Sequence, residues 1–328
     1  MKKTTGISFL ARAVITLLVM LLTAATAAGA QDVYTPVTSE TTTMTTGSYR
    51  VTEDVTVGSR ITISGEVTLI LGEGTTLTAS KGIGVESGNT LTVEGSGTLR
   101  ATGANYNAGL GGTANDWDAQ SEHGHIIINS GTVIAQGGYC AAGIGGGNKS
   151  TAGSNTIIEI NGGMVSATGG MEGAGIGGGN NSYNGGYGAP GVIIINGGQV
   201  TARGGSSGSG IGRGYRSTVT SGSLSLSWTN TTDYIDVDSY NISNISISKP
   251  FVIFGDETTE ATVDNIGGKK IIPLNDISLF AYATVSGLQD SYLYSGTAVS
   301  LDYSVKNFNN EPLIEGTDYS TELRNSAN

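Results

Sequence analysis

The chain contains one cysteine, Cys140, so no disulfide can form within it. Without a paired histidine and acid nearby, a lone cysteine is poor support for a catalytic thiol, and we interpret Cys140 as a small, semi-buried apolar residue. Only 13% of the residues are charged, about half of the usual ~25% for globular domains. Proline is also scarce, at 5 residues, which excludes collagen and a disordered Pro/Gly linker.

Basic residues are fewer than acidic ones. The chain has 16 Lys and Arg against 27 Asp and Glu, a net charge of −11. Three of the basic residues and none of the acidic ones fall in residues 1–30, so 13 against 27, or −14, remain in the rest. Because phosphate binding needs clustered Lys and Arg, this balance excludes nucleic acid as the expected partner. It favours a soluble chain that repels its own copies.

The first 30 residues have the three-part pattern of a secretory signal peptide. Lys2, Lys3 and Arg12 form a basic start, an apolar stretch follows at 13–22, and Ala-Gly-Ala at 28–30 marks the cleavage point. The apolar stretch is too short to span a ~30 Å hydrocarbon core. We therefore expect an exported protein, secreted or on the outer cell surface, with no membrane span after signal removal.

Glycine is abundant, at 53 of 328 residues, and much of it belongs to an internal repeat. Three segments within 126–214 share the pattern Ile-x-Ile-Asn-(Gly/Ser)-Gly-x-Val-x-Ala-x-Gly-Gly, followed by (Ala/Ser)-Gly-Ile-Gly. The copies are 32 and 35 residues apart, measured between Val133, Val165 and Val200. An earlier copy lies at 91–112, with its first strand out of phase by one residue because of a longer turn.

Each copy predicts three short strands with tight turns between them. In the first strand Ile158 and Ile160 alternate with Glu159, so the isoleucines point inward and the glutamate outward. The third strand, Ala-Gly-Ile-Gly, can pack only where a neighbouring backbone comes very close. Such strands bury a face only when copies stack. We predict an all-β fold: a right-handed parallel β-helix with one coil per 32–35-residue repeat, followed by a small, incomplete β-sandwich domain.

Stacking would place equivalent residues of successive coils in columns ~4.8 Å apart. Five apolar columns of three residues form the predicted core. They are Ile126/Ile158/Ile193, Ile128/Ile160/Ile195, Val133/Val165/Val200, Ala135/Ala167/Ala202 and Ile144/Ile176/Ile211. Asn129, Asn161 and Asn196 occupy one turn position, where stacked amides hydrogen-bond along the axis, so we interpret them as a structural ladder.

The whole sequence divides into five segments by composition and pattern. We predict a signal peptide (1–30), a Thr/Ser-rich lead (31–47), the parallel β-helix (48–218), β-rich terminal coils or a cap (219–275) and a partial immunoglobulin-like β domain (279–328).

The Gly-Ile-Gly strings are similar to two known ligand-binding loops, and neither interpretation holds. Phosphate and dinucleotide loops require a following helix, which the pattern lacks. Calcium rolls require an Asp every nine residues, whereas these strings are followed by Asn148, Asn180 and Tyr215. We therefore predict no cofactor and no metal site.

Insertions at 113–124, 148–155 and 180–191 interrupt the stack at the same place in successive coils, and insertions on one edge often build a binding face. Exposed aromatic rings there can stack on the apolar faces of sugars. The glycan-binding candidates are Trp117, Tyr183, Tyr187 and Tyr106. The first loop also holds Asp116, Asp118, Glu122 and His123, and His125 follows it, yet no paired-carboxylate arrangement emerges, so we predict no catalytic residue.

The repeat resembles the Gly-rich right-handed parallel β-helix proteins of the bacterial cell surface, of the adhesin-like or carbohydrate-binding type. The strings that carry the resemblance are Ile-Asn-Gly-Gly-Met-Val-Ser-Ala-Thr-Gly-Gly at 160–170 and Gly-Ala-Gly-Ile-Gly-Gly-Gly at 173–179, and it covers residues 48–215. Residues 294–320 resemble the start of a bacterial immunoglobulin-like surface repeat, which is incomplete here. The resemblance supplies no catalytic motif.

Three functions remain open on the sequence alone. The first is a non-enzymatic secreted or cell-surface module for adhesion or glycan contact, with a glycan or host-surface ligand. The second is a polysaccharide lyase or glycoside hydrolase of β-helix type, since the same architecture serves such enzymes. The third is a purely structural stalk. A cluster of carboxylates and basic groups on one flat strand face would favour the enzyme.

Overall fold

The computed structural model describes residues 33–114, 122–150, 156–180, 188–217, 222–248 without 229 and 231, 251–273 without 255, 284–287, 303–306 and 312–315. By internal contacts the chain divides into two units, residues 1–35 and 36–328. Of the first unit the structure describes only 33–35. Apart from Thr35, the first residue of β1, all features of the fold given below belong to the second unit.

The described residues form 28 β-strands. They are β1 (Thr35–Pro36), β2 (Thr43–Val51), β3 (Val55–Val57), β4 (Ile61–Leu71), β5 (Thr76–Ala79), β6 (Ile83–Gly84), β7 (Thr90–Gly95), β8 (Thr98–Thr102), β9 (Leu110–Gly111), β10 (His125–Ile128), β11 (Thr132–Gln136), β12 (Ile144–Gly145), β13 (Ile157–Ile160), β14 (Met164–Thr168), β15 (Ile176–Gly177), β16 (Gly191–Ile195), β17 (Gln199–Arg203), β18 (Ile211–Gly212), β19 (Gly222–Leu226), β20 (Tyr234–Val237), β21 (Tyr240–Asn241), β22 (Asn244–Ile247), β23 (Phe251–Ile253), β24 (Asp256–Glu260), β25 (Lys270–Pro273), β26 (Thr284–Ser286), β27 (Ser304–Lys306) and β28 (Pro312–Leu313).

Successive coils stack in parallel and in register. Each coil contributes three strands, such as β13, β14 and β15, and each strand pairs with its equivalent one repeat earlier and one repeat later. First strands pair from β7 to β22, second strands from β3 to β20, and third strands from β6 to β21. The long strand β4 joins two ladders, because its start pairs with β6 and its end with β7. The parallel β-helix predicted from the repeat is thus confirmed.

The core consists of the apolar columns that the repeat predicts. In β13, Ile158 and Ile160 are fully buried while Glu159 between them is half-buried on the outer face. The same alternation recurs in β14, where Val165 and Ala167 are buried. Burying one Ile or Val contributes about 1.5–3 kcal/mol, so a core of this kind stabilises the stack one coil at a time.

The phase shift at the earlier copy is also confirmed. Leu91 pairs with Ile126, 35 residues on, whereas Leu99 pairs with Val133, 34 residues on. The connection from Val93 to Leu99 therefore holds one more residue than the equivalent connection from Ile128 to Val133, and Gly95, at the end of β7, has a positive φ of 101°.

The third strands depend on a column of glycines: Gly111, Gly145, Gly177 and Gly212. A Cβ on Gly145 would lie 2.1 Å from the carbonyl oxygen of Gly177, and a Cβ on Gly177 would lie 2.1 Å from that of Gly212. All four have φ between 126° and 135°, a backbone conformation that residues other than glycine rarely adopt. Glycine alone lets these backbones approach.

The stack continues beyond the repeat into less regular sequence. Strands β19, β20 and β21 make one further coil, and β22 adds a parallel strand on β19. The second-strand ladder then changes direction, because β25 pairs antiparallel with β20 and β23 pairs antiparallel with β25. Trp228, which follows β19, packs against Phe251 at the start of β23, with ring centroids 4.3 Å apart. Further along the chain, β26, β27 and β28 form a three-stranded antiparallel sheet, and the immunoglobulin-like domain stays a prediction.

The strand phase is testable by a pair of neighbouring substitutions. Ile160→Asp places an unpaired carboxylate in the core and is expected to lower the free energy of unfolding by at least about 3 kcal/mol. Glu159→Lys alters an outer residue whose carboxylate lies 3.6 Å from His125 Nε2, and should change it by less than about 1 kcal/mol. Denaturant unfolding measures both. Equal midpoints would contradict the assigned phase.

The glycine column gives a second matched pair. Gly177→Ala forces a methyl group against the Gly212 carbonyl at positive φ, and is expected to cost about 1–3 kcal/mol or more. Gly58→Ala is the control, because a Cβ there meets nothing within 4 Å. Thermal unfolding of the two variants should separate them clearly. A Gly177→Ala protein as stable as wild type would show that the third strands can move apart freely.

Candidate functional site

One corner of each coil lies between the second and third strands, and its residues stack as regularly as the core. The amide of Gly138 donates to the Asn107 carbonyl, and the amide of Gly170 donates to the Ala141 carbonyl, at 3.0 and 2.9 Å. Two columns of residues result from this stacking. The outer column is exposed and consists of Asn105, Tyr139, Met171 and Ser206, whereas the neighbouring column of Tyr106, Cys140, Glu172 and Ser207 includes the fully buried Cys140.

Apolar side chains are exposed on neighbouring coils of this corner. Tyr139 is 49% exposed and Met171 is 44% exposed, and Tyr106 is half-buried one coil before Tyr139. The pKa of the Tyr139 hydroxyl is raised by desolvation and then by the negative charge of Glu172. We call Tyr106, Tyr139, Met171 and Glu172 the tyrosine ridge.

The variable loops leave the stack beside the tyrosine ridge. The backbone amides of Asn148, Asn180 and Tyr215 donate to the carbonyls of Tyr106, Cys140 and Glu172, at 2.8, 2.7 and 2.8 Å. Each donor follows a third strand, where the inserted loops begin. The described ends of two loops are therefore anchored at the ridge.

Of the four predicted glycan-binding aromatics, the structure places one. Tyr106 lies in the ridge, whereas Trp117, Tyr183 and Tyr187 lie outside the described residues. The structure adds Tyr139 and Met171, which sequence reasoning missed. The alignment of the repeats could have indicated both residues, since each directly follows the Gly-Gly pair that comes after the second strand.

Glu172 of the ridge joins a polar network with two buried residues, Cys140 and Asn180. The Cys140 thiol donates to Glu172 Oε2 at 3.3 Å, and Asn180 Nδ2 donates to the same oxygen at 2.6 Å. Burial raises the pKa of Cys140 to about 12, with Glu172 contributing further. The thiol is therefore protonated at neutral pH and is no nucleophile. Its role is to fix the Glu172 carboxylate.

The predicted asparagine ladder has the geometry of stacked amides. Asn161 Nδ2 donates to Asn129 Oδ1 at 3.0 Å, and Asn196 Nδ2 donates to Asn161 Oδ1 at 2.9 Å. All three side chains are exposed, so the ladder follows the outside of the turn.

Two other titratable side chains, Arg60 and His123, are held by structural contacts. The Arg60 guanidinium donates to the carbonyls of Ala108, Gly111 and Gly112 at 2.8–3.0 Å, and so ties coils together. His123 is buried against the Gly124 carbonyl, and burial lowers its pKa to about 4.

In the part of the chain that the structure describes, no three His, Cys, Asp or Glu side chains group closely enough to hold a metal ion.

Comparison with known proteins supports the architecture. A family model described as "Beta helix repeat" matches residues 126–148, 158–180 and 193–213. The chain is a parallel β-helix protein. Its repeat fits a surface or structural module. No curated protein and no solved structure matches the chain. Within the described residues, the structure has no helix long and apolar enough to cross a membrane.

The Gly-Ile-Gly strings of the third strands predict that the fold needs no metal ion. They are followed by Asn148, Asn180 and Tyr215 and lack the recurring Asp of a calcium roll. Adding EDTA is therefore expected to leave the melting temperature unchanged, as followed by circular dichroism. A fall of several degrees that calcium reverses would contradict this prediction.

Proposed function

We propose that this protein is an exported, non-enzymatic β-helix module that contacts glycans through the tyrosine ridge and the loops beside it. The observation that carries the proposal is the exposure of Tyr139 and Met171 on adjacent coils, next to the anchored loop ends. The exposed tyrosine ring is apolar on its faces and carries a hydroxyl at its edge, so it suits a ligand that has both apolar and hydrated surfaces. Sugars have this character, with apolar ring faces and hydroxyl edges.

The spacing of the ridge suits a short saccharide. Tyr106, Tyr139 and Met171 belong to three successive coils, and the coils repeat every ~4.8 Å. The ridge therefore extends over roughly 10 Å, about the span of a disaccharide. Glu172 lies beside Tyr139 with its carboxylate held by Cys140 and Asn180, so an acceptor for sugar hydroxyls is already oriented at the edge of the rings.

The rigidity of the corner supports a binding role. Both columns of the corner are joined by backbone hydrogen bonds between coils, so the exposed side chains are presented on a fixed frame. Preorganised side chains bind with less loss of conformational entropy than mobile ones. A ridge on stacked coils meets this condition better than an isolated loop does.

The proposal is tested on a glycan array with the full chain after signal removal. Tyr139→Ala removes the exposed ring and is expected to weaken binding about tenfold, as loss of a central aromatic contact does. Met171→Ala should weaken it less. Melting temperatures should change little, because both side chains are exposed at the surface.

The matched control lies on the same coil. Met164 is 52% exposed on the outer face of β14, away from the corner, so Met164→Ala should leave binding unchanged. A triple alanine variant at Trp117, Tyr183 and Tyr187 measures the share of the loops. Binding that survives all of these variants would place the contact elsewhere. A chain that binds no glycan would favour the structural stalk, and turnover of the glycan would favour the enzyme.

A further inference from the structure

A cleft of about 430 Å³ opens where the tyrosine ridge ends, on its C-terminal side. Its walls come from three segments, residues 207–209, 213–217 and 239–241. The cleft continues the ridge directly, because Ser207 is the next member of the column that contains Glu172, and the Tyr215 amide donates to the Glu172 carbonyl at 2.8 Å. A volume of this size falls in the usual range for small-ligand sites.

The charge of the cleft is opposite to that of the protein. Arg213 and Arg216 lie in its walls, together with serines, Tyr215 and Tyr240, and no Asp or Glu lines it among the described residues. The chain as a whole carries a net charge of −11. A basic pocket in an acidic protein concentrates positive potential at one place on the surface.

In the wall of the cleft, one glycine of the repeat is replaced. Arg213 occupies the position of Gly146 and Gly178 in the two preceding coils. A Cβ on Gly146 would lie 2.2 Å from the Ser150 side chain, and one on Gly178 would lie 2.0 Å from the Gly188 carbonyl, so the following segment packs on these glycines. In the Arg213 coil an arginine side chain stands at this position, in the wall of the cleft.

Hydrogen bonds to neighbouring backbone and side-chain groups hold Arg213 in place, and Arg216 lies over an aromatic ring. The backbone amide of Arg213 donates to the Asn241 carbonyl at 3.0 Å, and one guanidinium N–H donates to the Ser217 carbonyl. The Arg213 carbonyl accepts a hydrogen bond from Ser209 Oγ at 2.7 Å. Arg216 is exposed, and its Cζ lies 5.1 Å from the Tyr215 ring centroid. Its φ of 55° is uncommon for a residue other than glycine, and such conformations concentrate at functional sites.

We propose that this cleft binds the anionic group, carboxylate or sulfate, of an acidic saccharide whose neighbouring sugars lie along the tyrosine ridge. A guanidinium presents a planar set of N–H donors that pairs with two oxygens of such an anion at once. The serine hydroxyls of the same walls match sugar hydroxyls. The proposal deepens the proposed glycan contact and rests on it for the saccharide part of the ligand.

A nucleic acid ligand fits these observations less well. A polyphosphate backbone needs several basic residues along an extended track, whereas the two arginines lie together in one cleft. The remaining surface of a chain with a net charge of −11 would repel such a polymer.

The experiment is calorimetric titration of the full chain after signal removal with tetragalacturonate, its methyl ester and a sulfated tetrasaccharide. The methyl ester keeps the shape of the sugar and lacks its charge. Tetragalacturonate, the sulfated sugar or both should bind at least about tenfold more tightly than the ester, with an affinity that falls as salt rises. Which of the two binds better identifies the anion.

The variants locate the contact. Arg216→Gln is expected to weaken the acidic ligand about tenfold and to leave the methyl ester unaffected. Arg100→Gln is the matched control, with the same loss of charge at an exposed residue on β8, outside the cleft. Arg213→Gln should act in the same direction as Arg216→Gln, and its melting temperature tells whether the wall has kept its structure.

The possible outcomes separate this inference from the proposed function. Equal affinity for the acid and its ester, or an Arg216→Gln protein that binds as wild type does, would overturn the cleft assignment while ridge-dependent binding of neutral glycans could still stand. Acid binding that needs Arg216 and is insensitive to Tyr139→Ala would support the cleft and overturn the ridge. Elimination products, detected as unsaturated uronate, would support the cleft and overturn the non-enzymatic assignment.

Discussion

The fold depends on how closely the third strands of successive coils approach. Between Gly145 and Gly177, as between Gly177 and Gly212, the backbone occupies the space that a Cβ would need. This contact closes each coil, because the first and second strands are joined to their neighbours by ordinary ladders that tolerate any side chain on the outer face. Without the glycines the coil could not turn back over the core, and the apolar columns would lose one wall.

That constraint divides the residues of a coil into two classes. Positions that point inward, and the glycines of the third strand, are fixed by packing and by backbone contact, so the repeat keeps them similar from coil to coil. The outer column of the corner, Asn105, Tyr139, Met171 and Ser206, is exposed to solvent, and its side chains differ from coil to coil. Chemistry specific to this protein is therefore concentrated in the corner columns and in the loops that begin beside them.

The same division explains what the sequence could and could not predict. Period-2 alternation placed Ile158 and Ile160 in the core, and the spacing of the copies set the register of every repeat strand, because both follow from burial. Neither signal acts on Tyr139 or Met171, whose exposure follows from the shape of the corner. The Arg213 cleft left one trace in the sequence, an arginine inside a glycine string, and its meaning depended on knowing what packs on Gly146 and Gly178.

Stacking also makes the corner change its character gradually along the axis. The outer column goes from Asn105 through Tyr139 and Met171 to Ser206, and the next surface beyond it is the basic cleft around Arg213 and Arg216. Each step is one coil, ~4.8 Å, so the tyrosine ridge and the basic cleft lie within roughly 10 Å of each other on coils with the same backbone fold. A ligand that is apolar on its faces and anionic at one end fits this order of surfaces. A single substitution at the corner of one coil can alter the contact with one end of such a ligand, while the core of every other coil is unchanged.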